Sequence, residues 1–179
     1  FKIIYRFLGI TAIINGLFMF IAFPFSYFND ESQASGILNA GIITVFIGLI
    51  LYFINKPTST NIQKKEGYLI VTLGWLTLSF TGMLPYLLSG AIPNISDAFF
   101  ETISGYSTTG SSILTDIESM PKGILFWRSL THWIGGMGII VLAIAILPLL
   151  GIGGMQLFAA EAPGPSADKL HPRITDTAK

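Results

Sequence analysis

The chain has 179 residues, of which 51% are hydrophobic and 11% are charged. Soluble domains carry roughly 25% charged residues, so this composition indicates a membrane protein. The formal net charge is +0 and the basic residues form no cluster, which argues against a nucleic-acid partner. The sequence contains no cysteine, so disulfides and thiolate metal sites are excluded.

Two long apolar segments open the chain. Residues 3 to about 28 contain one charge, Arg6, and lack the small-residue cleavage site of a signal peptide, so they predict a first transmembrane helix. An acidic loop, NDESQAS, follows it. Residues 36–54 then form an uninterrupted apolar run, close to the length of about 20 residues that a crossing requires, and predict a second transmembrane helix.

Two further crossings are predicted later in the chain. Residues 67–89 carry no charge and predict the third, which Pro85 bends or ends near its outer end. The fourth begins near Pro121, because proline suits a first helical turn, and runs to about residue 147 or 150, where Pro148 stops it. Small residues in this last crossing permit close approach of another helix: Gly135, Gly136 and Gly138.

Between the third and fourth crossings lies the stretch DAFFETISGYSTTGSSIL, residues 97–114. A helix over residues 97–106 would rise about 15 Å, roughly half the hydrocarbon thickness, so it enters a membrane without spanning it. The small polar residues after it suit an extended backbone, which is tolerated at membrane depth only inside protein or beside water. We therefore predict an all-α membrane protein with four transmembrane helices, one re-entrant pore helix and a selectivity-filter loop.

The short helix is oriented to favour a cation. Ser96 is the expected N-cap and Asp97 lies in the first turn, so the negative end of the helix points into the membrane. The following residues offer oxygen ligands that replace a hydration shell, as in potassium filters. These predicted ion-binding residues are Thr108, Thr109, Gly110 and Ser111. The alternative is a helix and loop that only pack and bind no ion.

Two enzymatic interpretations of the same residues fail. Residues 105–110 match G-x-x-x-x-G, but Ser111 and Ser112 follow where a phosphate loop requires lysine. A serine hydrolase would use Ser104 with His132, yet Thr102 replaces the first glycine of the usual elbow and no oxyanion donors are evident. We do not expect an enzyme.

The last crossing carries two ionisable residues, Arg128 and His132, which share a helix face because they are four positions apart. An unpaired charge there is costly, so Arg128 is predicted to pair with Glu101 and to brace the filter. The alternative is that Arg128 extends to the outer interface. His132 is predicted to pack with a satisfied hydrogen bond. Trp127 and Trp133 are expected at the outer membrane interface.

The Lys and Arg residues of the short loops predict the orientation. Both ends of the chain and the loop between the second and third crossings are expected in the cytoplasm, and Lys122 is the exception to the rule. The basic residues that carry this inference are Lys2, Arg6, Lys64, Lys65, Lys169 and Arg173.

The segment FFETISGYSTTGSSIL, continuing through THWIGGMG to KLHPRITDTAK, resembles the potassium-uptake subunits of the Trk/Ktr/HKT superfamily, and the TrkH type most closely. The resemblance implies potassium uptake across the cell inner membrane, with K⁺ as the bound ion. It also implies four repeats in one polypeptide, a homodimer, and a cytoplasmic nucleotide-binding regulatory subunit as partners, besides the lipid bilayer.

The resemblance divides the chain into three parts. Residues 1–66 would be an accessory two-helix transmembrane hairpin, residues 67–154 the first helix–pore loop–helix repeat, and residues 155–179 a cytoplasmic linker to the remaining repeats. The chain lacks an initiator Met and ends in DTAK without a closing signal, so we expect a fragment of a longer polypeptide. It would supply one quarter of a filter. A secondary transporter with a re-entrant hairpin and a non-transporting membrane assembly subunit are the alternatives.

Overall fold

The computed structural model describes residues 2–29, 34–54 and 64–146, and all regular secondary structure within these ranges is helical. The predicted linker and the predicted end of the last crossing lie outside the described residues. Six helices follow in order: α1 (Lys2–Tyr27), α2 (Ala34–Ile54), α3 (Lys64–Gly82), α4 (Leu84–Leu88), α5 (Ile95–Tyr106) and α6 (Lys122–Ile146). The all-helical prediction is confirmed for the described ranges.

Three stretches of the described residues are long and apolar enough to cross a membrane: Lys2–Tyr27, Ala34–Ile54 and Glu66–Leu88. They coincide with the first three predicted crossings, and the chain is a multi-pass membrane protein. The fourth predicted crossing corresponds to α6, which has 25 residues. Its passage through a membrane stays a prediction.

Helices α1 and α2 pack closely because glycines face each other. A Cβ added to Gly9 would lie 2.7 Å from the carbonyl oxygen of Gly48, and one added to Gly48 would lie 2.8 Å from that of Gly9. A Cβ on Gly16 would lie 3.0 Å from the carbonyl oxygen of Gly41. Lipid gives membrane helices little hydrophobic reason to associate, so such close backbone approach is what their packing depends on.

The third crossing is interrupted. Helix α3 ends at Gly82, and α4 begins with Leu84 and Pro85 in its first turn, so the predicted break lies just before the proline. The Gly82 carbonyl accepts a hydrogen bond from the Trp127 indole Nε1 at 3.0 Å. Trp127 is fully buried, so its expected place at the membrane interface is wrong: the indole N–H finds its partner inside the protein. Trp133 is 57% exposed.

The main apolar core joins residues from α1, α2, α4, α5 and α6, together with Ile92 from the α4–α5 loop. Its fully buried members include Met19, Ile37, Tyr86, Ala98 and Trp127. This core fixes α5 against the transmembrane helices, and the outer faces of α1 and α2 keep large apolar side chains exposed, as a lipid-facing surface requires. The described residues up to Gly136 form one compact unit, and the end of α6, residues 137–146, belongs to a separate unit.

Candidate functional site

Helix α5 begins two residues earlier than predicted, at Ile95. Its N-cap is Asn94, whose Oδ1 accepts a hydrogen bond from the backbone N–H of Ser96 at 2.9 Å. The prediction of Ser96 as N-cap is therefore wrong, because the preceding asparagine already satisfies a free amide of the first turn. Asp97 does lie in that first turn, where its carboxylate interacts favourably with the positive end of the helix dipole.

The helix ends as predicted at Tyr106, and the next residues form a closing turn. The N–H of Thr108 donates to the carbonyl of Gly105 at 2.9 Å, and that of Thr109 donates to the carbonyl of Ser104 at 3.1 Å. This pair of bonds is a Schellman motif, which places its key residue in the left-handed region and normally uses glycine there. Here that residue is Thr108, with φ of 57°. A β-branched residue in this conformation is strained by about 1–2 kcal/mol.

The loop of residues 107–112, called the TTG loop below, displays oxygen atoms. Among the described residues, none donates a hydrogen bond to the carbonyl oxygens of Thr108, Thr109 or Gly110, and these residues are exposed. Gly110 has φ of 76°, a left-handed conformation that glycine adopts at no steric cost. Uncharged carbonyl and hydroxyl oxygens are ligands of the kind that replace water around an alkali cation.

The chain leaving the TTG loop runs back along α5 and is fastened to it by side chains. The Ser104 hydroxyl donates to the carbonyl of Ser111 at 2.5 Å. One turn earlier, the Glu101 carboxylate accepts hydrogen bonds from the Ser112 hydroxyl at 3.0 Å and from the Ile113 N–H at 3.2 Å. Of the four predicted ion ligands, Ser111 thus differs from the others, because its carbonyl already accepts a hydrogen bond.

The predicted pairing of Glu101 with Arg128 is confirmed. The Nε of Arg128 lies 2.6 Å from Oε1 of Glu101, and the two side chains are 18% and 1% exposed, respectively. Arg128 therefore turns inward rather than reaching for the interface. A buried carboxylate is tolerated only when it is paired and hydrogen-bonded, and Glu101 meets both conditions with partners from α6 and from the chain after the TTG loop.

Helix α6 also contacts the end of α5 through its small residues. A Cβ on Gly135 would lie 2.6 Å from the carbonyl carbon of Tyr106, so the predicted close approach is confirmed at this glycine. The predicted hydrogen bond of His132 is confirmed as well, since its Nδ1 lies 2.9 Å from the carbonyl of Arg128. This places His132 beside the site as a packed residue of α6.

One contact of the site is not predicted by the sequence pattern. The Tyr106 hydroxyl donates to Oδ1 of Asn15 at 2.7 Å, and Nδ2 of Asn15 donates to the Thr81 hydroxyl at 2.8 Å. Asn15 is the one side-chain amide between Lys2 and Phe28 in the sequence. A lone amide in an apolar helix is a signal for a cross-helix hydrogen bond, although it does not identify the partner.

The fold defines an all-helical, multi-pass membrane protein with a short capped helix and an oxygen-rich loop packed among its long helices. The model of the TrkH family, described as a cation transport protein, matches residues 33–179. The chain belongs to this family.

Individual relatives agree with the family match. The Trk system potassium uptake protein TrkH of Escherichia coli (strain K12) is 42% identical over 182 residues, covering 100% of this chain and 38% of the relative. The protein of that name from Vibrio parahaemolyticus is 49% identical over 140 residues, covering 76% of this chain and 29% of the relative. The chain therefore spans well under half the length of these relatives.

A solved structure shows the same fold. The crystal structure of the potassium transporter TrkH from Vibrio parahaemolyticus superposes with a TM-score of 0.81 and 34% sequence identity. The superposition covers 99% of this chain and 35% of that chain.

Proposed function

We propose that the protein carries out potassium uptake across the cell inner membrane and that this chain contributes one quarter of its selectivity filter. The observation that carries the proposal is the TTG loop: three successive exposed carbonyls, of Thr108, Thr109 and Gly110, accept no hydrogen bond from the described residues. Relatives that match the whole chain are named potassium uptake proteins. These names favour potassium transport over a secondary transporter with a re-entrant hairpin or a non-transporting assembly subunit.

The proposed chemistry of the site is replacement of the hydration shell of K⁺. The carbonyl end of α5 carries a partial negative charge, and the TTG loop continues from that end. A K⁺ ion that sheds water there would be coordinated by the oxygens of Thr108, Thr109 and Gly110, with Ser111 at the exit of the loop. Since one loop offers oxygens from one side only, the other sides of the ion would be covered by equivalent loops.

In this proposal Glu101 and Arg128 support the filter without touching the ion. Glu101 holds the chain after the loop through Ser112 and Ile113, and Arg128 holds Glu101 from α6. The loop is thereby fixed at both ends, by the Schellman turn on one side and by the buried carboxylate on the other. This anchoring keeps the carbonyl oxygens of the loop directed at the ion whose hydration shell they replace.

The proposed assembly follows from the length of the relatives and from the resemblance. Residues 1–66 act as an accessory transmembrane hairpin, residues 67–154 as the first of four repeats with α6 as a fourth crossing, and residues 155–179 as a cytoplasmic linker. The remaining repeats of the polypeptide complete the filter, two polypeptides form a homodimer, and a cytoplasmic nucleotide-binding subunit regulates it. Both ends of the chain lie in the cytoplasm, as the lysine and arginine distribution favours.

The test is ion flux into liposomes containing the full-length protein, with a Gly110→Ser variant. A side chain at φ of 76° is strained and would displace the carbonyls, so we expect the preference for K⁺ over Na⁺ to fall. Gly90→Ser is the matched control, because Gly90 also has a positive φ, of 73°, but lies in open space in the loop between α4 and α5. A Gly110→Ser protein that keeps the wild-type preference would refute the site.

A further inference from the structure

Helix α1 carries a buried amide side chain, Asn15, which a helix that contacts only lipid and apolar side chains would not need. Asn15 is 1% exposed, and both ends of its amide are hydrogen-bonded to other helices: to Tyr106 at the end of α5 and to Thr81 near the end of α3. Tyr106 and Thr81 are themselves 1% and 7% exposed. The three side chains therefore form a buried polar chain across three helices.

The direction of these bonds is determined. The Thr81 hydroxyl donates to the carbonyl of Thr77 at 2.7 Å, so towards Asn15 it acts as an acceptor. Nδ2 of Asn15 must then face Thr81, which leaves Oδ1 to accept the hydroxyl proton of Tyr106. With the Thr81 hydroxyl donating within its own helix, only this orientation of the amide gives the Tyr106 hydroxyl an acceptor on Asn15. Asn15 thus fixes the Tyr106 hydroxyl at a single place.

Tyr106 is the last residue of α5 and stands two positions before Thr108, the strained second residue of the TTG loop. Its ring and its backbone are enclosed by residues without side chains. A Cβ on Gly82 would lie 2.7 Å from Cε2 of Tyr106, and one on Gly135 would lie 2.6 Å from its carbonyl carbon. A shift of the Tyr106 hydroxyl therefore cannot be absorbed by the ring alone and moves the backbone that begins the loop.

We infer that Asn15, through Tyr106, is a positioning residue for the ion-binding loop, so that the accessory hairpin takes a direct part in ion discrimination. Thr81 acts in the same role by orienting the Asn15 amide. The inference deepens the proposed function and rests on it where ion preference is concerned. It assigns to α1 a task other than enlarging the membrane-embedded surface, because the hydrogen bond spans from that helix to the loop-bearing helix α5.

The test compares three substitutions in the full-length protein. Tyr106→Phe removes the hydroxyl and keeps the ring, and Asn15→Leu removes the amide at similar volume. Thr44→Val is the control: Thr44 is also fully buried between α1 and α2, and its hydroxyl contacts Sδ of Met19 at 3.7 Å. That contact lies between α1 and α2 and does not reach α5.

Two readouts are taken on each variant: the K⁺ over Na⁺ preference in liposome flux, and amide hydrogen exchange of residues 107–110. We expect Tyr106→Phe and Asn15→Leu each to reduce the preference about tenfold, the change that corresponds to about 1.4 kcal/mol. We expect faster exchange in the loop for both, and neither change in Thr44→Val. Because both substitutions remove the hydrogen bond between Asn15 and Tyr106, the double variant should lose no more preference than Asn15→Leu alone.

The outcomes separate the two proposals. Unchanged preference and unchanged loop exchange in Tyr106→Phe, at a normal membrane level, would overturn the inference. If the variants only lower the amount of protein in the membrane, and Thr44→Val lowers it equally, the contact contributes packing alone and the inference is overturned as well. If the wild-type protein does not discriminate K⁺ from Na⁺ and the loop still exchanges faster in Tyr106→Phe and Asn15→Leu, the positioning role is supported and the proposed filter is refuted.

Discussion

Helices α1 and α2 contact each other through glycines, whereas α5 and the TTG loop are joined to their neighbours by side chains that form hydrogen bonds and an ion pair. In the hairpin, Gly9 and Gly48 bring two backbones together. At the site, Glu101 and Asn15 reach across to α6 and α5 with defined donor and acceptor atoms. The first kind of contact depends on volume, and the second depends on charge and hydrogen-bond direction.

Because the contacts differ in kind, substitutions have different effects in the two regions. A methyl group added at Gly9 or Gly48 meets backbone, which cannot rotate away, so the helices must separate. A substitution at the site can keep every volume and still leave a buried polar atom without its partner, which costs about 1–3 kcal/mol and more for a charge. Stability therefore reports on the hairpin, and stability together with ion preference reports on the site.

The largest effect is expected from Arg128→Gln. It leaves the Glu101 carboxylate buried with its charge uncompensated, and removal of one partner of a buried pair costs about 3–5 kcal/mol. We expect a lower unfolding temperature in detergent, slower K⁺ transport and weaker preference for K⁺ over Na⁺. The double variant Glu101→Gln, Arg128→Gln should be more stable than Arg128→Gln alone, because no charge stays buried. A single variant as stable as the wild type would contradict the brace.

An intermediate effect is expected in the hairpin from Gly9→Ala. The new Cβ would lie 2.7 Å from the carbonyl oxygen of Gly48 and 2.8 Å from the backbone N of Tyr52, and such overpacking costs about 1–3 kcal/mol. Thermal unfolding in detergent measures the loss. The control is Gly74→Ala in α3, where the nearest atom is Cε1 of Phe7 at 4.0 Å, and where alanine should be neutral or stabilising. Equal stability of the two variants would show that close packing does not hold the hairpin.

The smallest effect on stability, with a separate effect on function, is expected from Thr108→Gly. Glycine adopts φ of 57° without strain, so about 1–2 kcal/mol of local strain is relieved, partly offset by the greater freedom of glycine in the unfolded chain. We expect stability unchanged or slightly raised, and a weaker K⁺ over Na⁺ preference because the loop gains freedom. Thr109→Gly, at a residue outside the left-handed region, should lower stability instead. A Thr108→Gly protein with lower stability would show that the strain is not relieved.

Much of the helical layout is predictable from the sequence, because apolar length alone identifies α1, α2 and the α3–α4 stretch. The Glu101–Arg128 pair is predictable too, since two charges within apolar surroundings have few other ways to be satisfied. The end of α5 at Tyr106 follows from the change to Ser, Thr and Gly residues. These features depend on composition over short stretches.

The remaining features depend on packing between distant parts of the chain. The Asn15 to Tyr106 bond joins residues 91 positions apart, and no local pattern states which helix faces which. Trp127 is buried because the Gly82 carbonyl at the end of α3 accepts its N–H, a partner that exists only after α3 ends. The left-handed Thr108 runs against the preference of β-branched residues, so local propensity argues for a different residue at that position.

The enclosure of Tyr106 has a consequence for how the sequence can change over time. The ring lies against Gly82 and its backbone against Gly135, with less than 3 Å between Tyr106 atoms and any Cβ added at either glycine. A larger residue at position 82 therefore requires a smaller side chain at position 106 or a separation of α3 and α5, whereas a larger residue at position 135 meets backbone and forces α5 and α6 apart. The ring at the end of α5 thus limits which residues α3 can carry at this contact, and the backbone beneath it limits which residues α6 can carry.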